Sequence, residues 1–380
     1  MCGIFGQCCC ATPSDRFEAL VAGLRALQYR GYDSCGVAWL QATDGAAGNG
    51  RCEIGLARAV GTVQALQQVL PATVDIGAAP ASLDESCSGE DSEPLDSPWC
   101  AIAHTRWATH GVVAERNTHP HRVDRLAIVH NGVVSNLDQL RKHVRGTFAS
   151  QQSETDTEVL LQAIALEYRA LESCNGPRER LLRSVSAALE HIEGAFALAL
   201  ISADLPECVL LARRGSPLAI GFADDLQQPR FWRRDTIGTT LTVAAADTGN
   251  RDCCGGCFTF ASDLNALQQH AQRALLLSDD DIVLIDAVLN RCDVYYAGAH
   301  PGAATVPLDG SSGDDGDCER SSAVSATIAS IHSDYDDGLC MYREIFEQPI
   351  SLQRAMAGRL LQCDDDDDDD NDDAAGARRA

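Results

Sequence analysis

The sequence predicts an α+β fold in which antiparallel sheets are layered against helices. Two observations point to it. Short apolar runs of strand length recur along the chain, several in succession with no helix between them, which favours antiparallel pairing over β-α-β units. Only a few segments carry apolar residues at helical spacing, and these must pack on the sheets to bury their apolar stripes.

The elements follow in order. "CGIFGQ" (Cys2–Gln7) reads as a short buried strand, and "DRFEALVAGLRALQY" sets Phe17, Leu20, Val21, Leu24 and Leu27 on one helical face, with Asp15 and Glu18 as a capping pair. "CGVAWL" (Cys35–Leu40) is a strand. Residues 78–98 are rich in Ser, Pro and acids and read as a surface insertion. "WCAIAH" (Trp99–His104) and "RLAIVHNG" (Arg125–Gly132) read as buried strands that deliver polar residues at their C-terminal ends. "SETDTEVLLQAIALEYRAL" is a helix with Thr155 and Glu158 as its capping box, and "ERLLRSVSAALEHI" is another. "AFALALIS", "CVLLARR" and "GSPLAIGF" follow as strands. A Gly/Asp-rich loop ends in "CCGGC", with an insertion expected near 247–257. "FTFASDLNALQQHA" predicts a helix and "DDDIVLID" a strand. Residues 2–302 are expected to form one domain, 303–337 a Gly/Ser/Asp-rich linker, 338–363 a helical connector, and 364–380 an acidic tail unable to bury itself.

The chain carries 55 acidic against 30 basic side chains, a net charge of −25, which argues against a nucleic-acid surface. No run of 18 apolar residues and no basic-then-apolar leader is present, so the expected location is cytoplasmic, with no membrane partner. The 17 cysteines then read as reduced thiols packed as small apolar residues. Cys254 and Cys257 form a C-x-x-C without a second ligand pair at matching spacing, and no metal site is assigned. His104, His119, His121 and His130 read as buried, hydrogen-bonded histidines in preference to ligands.

Cys2 stands directly behind Met1. Removal of Met1 would give one residue a thiol, with an ordinary pKa of about 8.5, and an α-amine of pKa about 8 that can take the thiol proton. Such a residue carries its own base, the logic of N-terminal threonine hydrolases. The chemistry needs an oxyanion hole but no cofactor. By residue type alone, Cys2 also reads as strand packing, Asp156 as a helix first-turn acid, and Arg106 as half of a surface ion pair.

The ordered segments "CGIFG" (Cys2–Gly6), "LQYRGYDSCGVA" (Leu27–Ala38), "HTRWATHG" (His104–Gly111), "NTHPH" (Asn117–His121), "HNG" (His130–Gly132), "SETDTE" (Ser153–Glu158), "RRGSPLAIG" (Arg213–Gly221), "FASD" (Phe260–Asp263) and "EIFEQP" (Glu344–Pro349) span most of the chain. Taken together they resemble the glutaminase half of the glutamine:fructose-6-phosphate amidotransferases, which are class II, N-terminal-nucleophile amidotransferases. The resemblance implies a four-layer αββα sandwich of two stacked antiparallel sheets between helical layers. It implies hydrolysis of L-glutamine to glutamate and ammonia through a γ-glutamyl thioester on Cys2, with Asn131 and Gly132 as the oxyanion hole. Arg106 would clamp the substrate carboxylate, supported by Thr109 and His110, and Asp156 would hold the ammonium. Arg30 and Gly31 would line the pocket, and Trp107 would lie on a covering loop. In the family, ammonia passes to isomerase domains that bind fructose 6-phosphate and make glucosamine 6-phosphate. This sequence turns to "DDDDDDDNDD" where that half would begin, and is expected to lack it. "HGVVAERN" departs from the family's acidic-proline continuation of the "HTRWATHG" loop. Alternatives are a stand-alone glutaminase, another class II amidotransferase subunit, or a non-catalytic interaction module.

Overall fold

A computed structural model describes residues 2–10, 16–43, 51–71, 98–108, 111–148, 151–174, 176–222, 229–233, 257–296 and 305–307. These residues build two stacked sheets. In spatial order the first consists of β15 (Thr305–Pro307), β12 (Arg273–Leu276), β9 (Ala219–Phe222), β11 (Cys257–Ala261), β1 (Gly3–Cys10), β4 (Pro98–Arg106), β2 (Ser34–Thr43) and β3 (Arg51–Val60). The second runs β10 (Arg230–Arg233), β14 (Arg291–Tyr296), β13 (Ile282–Asp286), β8 (Leu205–Arg214), β7 (Gly194–Ser202), β6 (Leu126–Val134) and β5 (His121–Val123). Every pairing is antiparallel except β10 with β14.

The period-2 alternation of strand side chains explains the layering. Phe5, Trp39 and Ala103 face one way from the first sheet, against Leu20, Leu24 and Leu27 of the region around α1 (Arg16–Ala26). Their neighbours Ile4, Ala38 and Ile102 face the second sheet. There they meet Val129, Ala197, Ala199, Val209 and Leu211. Ile128, Leu198, Leu200 and Leu210 point out the far side, under α4 (Asp156–Ala170) and α5 (Pro177–Glu190). Two smaller helices, α2 (Val63–Gln67) and α3 (Leu137–Val144), flank these layers. The αββα sandwich is therefore present, and no helix among the described residues is long and apolar enough to cross a membrane.

Two local expectations are corrected. Residues 258–271 are not a helix: Phe258–Ala261 extends β11, paired with β1 from Phe5↔Ala261 to Cys9↔Cys257, followed by a 3-10 turn at Leu264–Ala266. Phe258 and Phe260 reach the central layer at strand spacing, while the Asp263 side chain caps the turn through Asn265 N–H. The capping box at Thr155–Glu158 does not close either. Thr155 Oγ1 contacts His121 Nε2 at 3.0 Å, and the Glu158 carboxylate accepts the N–H groups of Gln152 and Ser153 ahead of the helix. The hydroxyl thus satisfies a buried imidazole in preference to its own helix. Beyond the edge strand Thr305–Pro307, the segments 303–337, 338–363 and 364–380 lie outside the described residues, as do 78–97 and 247–256.

Gly23 of α1 faces Phe5 so closely that an added Cβ would sit 2.5 Å from the ring. Alanine improves helix propensity by up to about 1 kcal/mol, but overpacking costs about 1–3 kcal/mol. Gly23→Ala should therefore lower stability by about 1–2 kcal/mol in chemical denaturation. A stabilised variant would show that α1 is not held against β1.

Candidate active site

The register of β1 against β4 pairs Gly3 with Thr105 and Ile4 with His104, so the chain start lies beside the end of β4. Trp107 N–H donates to Cys2 Sγ at 3.4 Å, and the thiol faces Trp107 O at 3.7 Å. Burial pushes the Cys2 thiol up. The Trp107 N–H, the positive amino terminus and Arg106 pull the other way, and Asp156 adds to the rise. Cys2, Arg106 and Asp156 thus share one electrostatic environment.

A second strand end meets the first from the facing sheet. Asn131 Nδ2 donates to Cys2 O at 3.0 Å, and Asn131 Oδ1 lies 3.0 Å from His104 Nε2. A carbonyl oxygen can only accept, so His104 carries its proton on Nε2. The Asn131 amide is fixed from both ends, and its Nδ2 retains a second proton. Gly132 follows with φ +137, and a Cβ there would fall 2.0 Å from Ala195 O. Only glycine fits both the dihedral and the space.

Arg106 is 4% exposed and donates to Val112 O at 3.5 Å. Burial pulls its pKa down, while Cys2, Asp33, Glu154 and Asp156 raise it. Asp156, the first residue of α4, accepts Val134 N–H at 3.0 Å and Thr157 Oγ1–H at 3.4 Å. Gly31 presses on the Arg106–Trp107 backbone, where a Cβ would meet Arg106 C at 2.6 Å. Arg30 turns instead to Asp263, at 2.8 Å, in a cluster with Tyr29. Trp107 lies 5.5 Å, centroid to centroid, from the exposed ring of Tyr32. Thr109 and His110 lie outside the described residues.

Three residues not singled out from the sequence hold this arrangement. Asp33 N–H donates to Arg106 O at 3.1 Å, while the Asp33 carboxylate accepts Ala108 N–H at 2.8 Å. Glu154 accepts Val112 N–H at 2.9 Å and pairs with Arg116 and Asn117. Asn117 returns a bond to Val112 O at 2.9 Å and accepts Glu154 N–H at 2.8 Å. The diverged "GVVAERN" stretch is thereby fastened to the residues before α4. The signal was the recurrence of Asp, Glu and Asn beside turns, but nothing local names their distant backbone partners.

Behind Asn131 lies a stack of imidazoles. The His104 and His119 ring centroids are 4.2 Å apart, and those of His119 and His121 are 4.9 Å apart. His130 Nδ1 contacts Thr157 Oγ1 at 3.0 Å. Burial pushes all four below the ordinary histidine range, His104 and His121 to about 3. They are neutral at physiological pH.

Residues 104–225 match the family model of the glutamine amidotransferase domain. The chain is 30% identical over 393 residues to rat "Glutamine--fructose-6-phosphate aminotransferase [isomerizing] 1", an alignment covering 95% of this chain and 50% of that protein. It is 31% identical to the human form 2 over 389 residues, covering 95% and 51% respectively. Against the Corynebacterium diphtheriae enzyme it is 36% identical over 230 residues, 59% of this chain and 31% of that one. Among solved structures, the glutamine phosphoribosylpyrophosphate amidotransferase of B. subtilis aligns with TM-score 0.48 and 17% identity, over 80% of this chain and 49% of that chain. The matched model marks residues 104–225 as a glutamine amidotransferase domain. More particularly, the chain is a homologue of the isomerizing glutamine--fructose-6-phosphate aminotransferases, and it spans about half the length of these curated relatives.

The neutral histidines generate a pH dependence. Their native pKa values lie below the unfolded value of 6.5, so below that pH the unfolded chain binds more protons. Stability should be full above pH 6.5 and fall as pH drops toward 5, with a slope of up to about 1.4 kcal/mol per pH unit for each histidine. Urea unfolding at pH 7.5, 6.5 and 5.5 measures this. A flat profile would mean that the stack is hydrated or already charged.

Proposed function

We propose that the processed chain hydrolyses L-glutamine, with Cys2 as nucleophile. The single observation that carries this reading is the bridge from Cys2 O through Asn131 to His104, which sets an amide donor beside the thiol. After removal of Met1, the free α-amine takes the proton from Sγ. The thiolate then attacks the side-chain amide carbon of glutamine. The resulting oxyanion accepts from the second Nδ2 proton of Asn131 and from Gly132 N–H. Return of the proton to the leaving nitrogen expels ammonia and leaves a γ-glutamyl thioester. Water then cleaves the thioester, releasing glutamate and restoring the thiol. Arg106 is the cation for the substrate α-carboxylate and Asp156 the anion for its ammonium, with Gly31 packed on the Arg106–Trp107 backbone. The sequence resemblance assigns Thr109 and His110 to the same pocket, whereas Arg30 acts through its pairing with Asp263. Trp107, beside Cys2, shields the thioester from water.

The names of the relatives support a destination for the ammonia. An isomerase domain or subunit that binds fructose 6-phosphate would receive it, yielding glucosamine 6-phosphate for the hexosamine pathway. Chemistry that needs a reduced thiol fits a cytoplasmic setting.

Ammonia release from glutamine should be nearly abolished in Cys2→Ala, and intact-mass analysis should show Met1 absent from the active species. Equal activity in that variant, or full activity with Met1 retained, refutes the assignment. Asn131→Ala should lower kcat by about 100–1000-fold with a much smaller change in KM, the usual loss for one oxyanion donor. A rise in KM alone would make Asn131 a substrate-binding group.

A further inference from the structure

A cavity of about 340 Å³ is lined by Arg58, Glu115, Arg116, His121, Arg122 and Glu158 among others. In a chain of net charge −25, a cavity with three guanidinium groups to two carboxylates stands apart. The charges are also unevenly committed. Arg116 is tied to Glu154 at 2.9 Å. The Glu158 oxygens accept Gln152 N–H at 2.9 Å and Ser153 N–H at 2.6 Å. Arg122 donates to two backbone carbonyls, Ile54 O at 3.1 Å and Asp124 O at 3.3 Å, and forms no ion pair among the described residues. Arg58 projects from β3, and its Nε is buried with no acceptor. A buried guanidinium nitrogen without an acceptor carries a desolvation cost. Burial accordingly pulls its pKa down, against the raising influence of Glu115 and Glu158. His121, neutral and 4% exposed, adds a wall of low polarity that strengthens charge interactions.

We propose that this cavity binds a small phosphate-bearing metabolite, gripped by Arg58 from the wall and Arg122 from the rim. Two guanidinium forks approaching one space match the oxygens of a phosphate better than a single carboxylate. Glu115 is exposed at the mouth and free to turn away from an anion. The site is separate from the glutamine pocket, and its occupancy is independent of glutaminase activity.

The test uses the full chain in phosphate-free buffer at fixed ionic strength, titrated with inorganic phosphate and, in parallel, with glycerol 3-phosphate. Thermal shift and calorimetry are the readouts. Saturable binding of either probe is expected, weakened at least about 10-fold in Arg58→Met, as for loss of one charged hydrogen-bonding group. Arg122→Met provides the same comparison should Arg58→Met fail to fold. Ammonia release from glutamine should be unchanged in Arg58→Met. No saturation with either probe, equal binding by the variants, or the same thermal shift from acetate would overturn the proposal.

Discussion

The hydrogen bond from Asn131 Nδ2 to Cys2 O is the constraint on which the site depends, because it joins the two sheets at one edge. Cys2 leads into β1 of the first sheet, and Asn131 belongs to β6 of the second. Elsewhere the sheets meet largely through apolar side chains, which set their spacing but not a sliding register, with further polar links such as Arg122 to Ile54 O away from the thiol. A polar contact 3.0 Å long does specify position. Its neighbours reinforce it: His104 lies on β4, beside β1, so the Asn131 amide is held by two adjacent strands of the opposite sheet. Sliding either sheet past the other by one residue would break both bonds.

The same edge gathers charge. Arg106 ends β4 and Asp156 begins α4, so one cation and one anion arrive from opposite layers, next to a thiol. Neither is held mainly by the other. Asp156 is anchored by Val134 N–H, and the segment after Arg106 by Asp33 and Glu154. That arrangement suits a zwitterion, because two site charges clasped together would have to separate before the ligand could bind. Backbone donors and turn carboxylates keep the charges apart at low conformational cost.

Much of this was legible in the sequence, for reasons that differ by residue. The strands around Ile4, Ile102 and Val129 were readable because buried strands are continuous apolar runs. Cys2 announced itself by position, and Asn131 and Arg106 by motifs at strand ends. β3 and α3 went unmarked. "RCEIGLARAV" mixes charged and small residues over a strand buried on one face, and "LDQLRKHV" has only Leu140 and Val144 fully buried. The helix expected at 258–271 failed because tertiary pairing with β1 outweighed the helical spacing of Leu264 and Leu267. Asp33, Asn117 and Glu154 were invisible as supports because each acts on main-chain groups far away in sequence. Turn-forming residue types carry no record of such partners.

The imidazole stack shows what the site costs. His104 Nδ1, His119 Nδ1 and His130 Nε2 are buried without a hydrogen-bond partner. An apolar residue at those places would avoid that penalty. Histidine is retained where one nitrogen must donate: at position 104 to Asn131 Oδ1, at position 130 to the Thr157 hydroxyl beside Asp156. Each ring therefore exchanges folding stability for orientation of a group beside Cys2 or Asp156. Burial makes the exchange reliable, because an imidazole held far below its ordinary pKa keeps one tautomer and one direction of donation across the physiological range. A solvated histidine would exchange between its two neutral tautomers, and the Nδ1–H form would leave Nε2 facing Asn131 Oδ1 with no proton to donate.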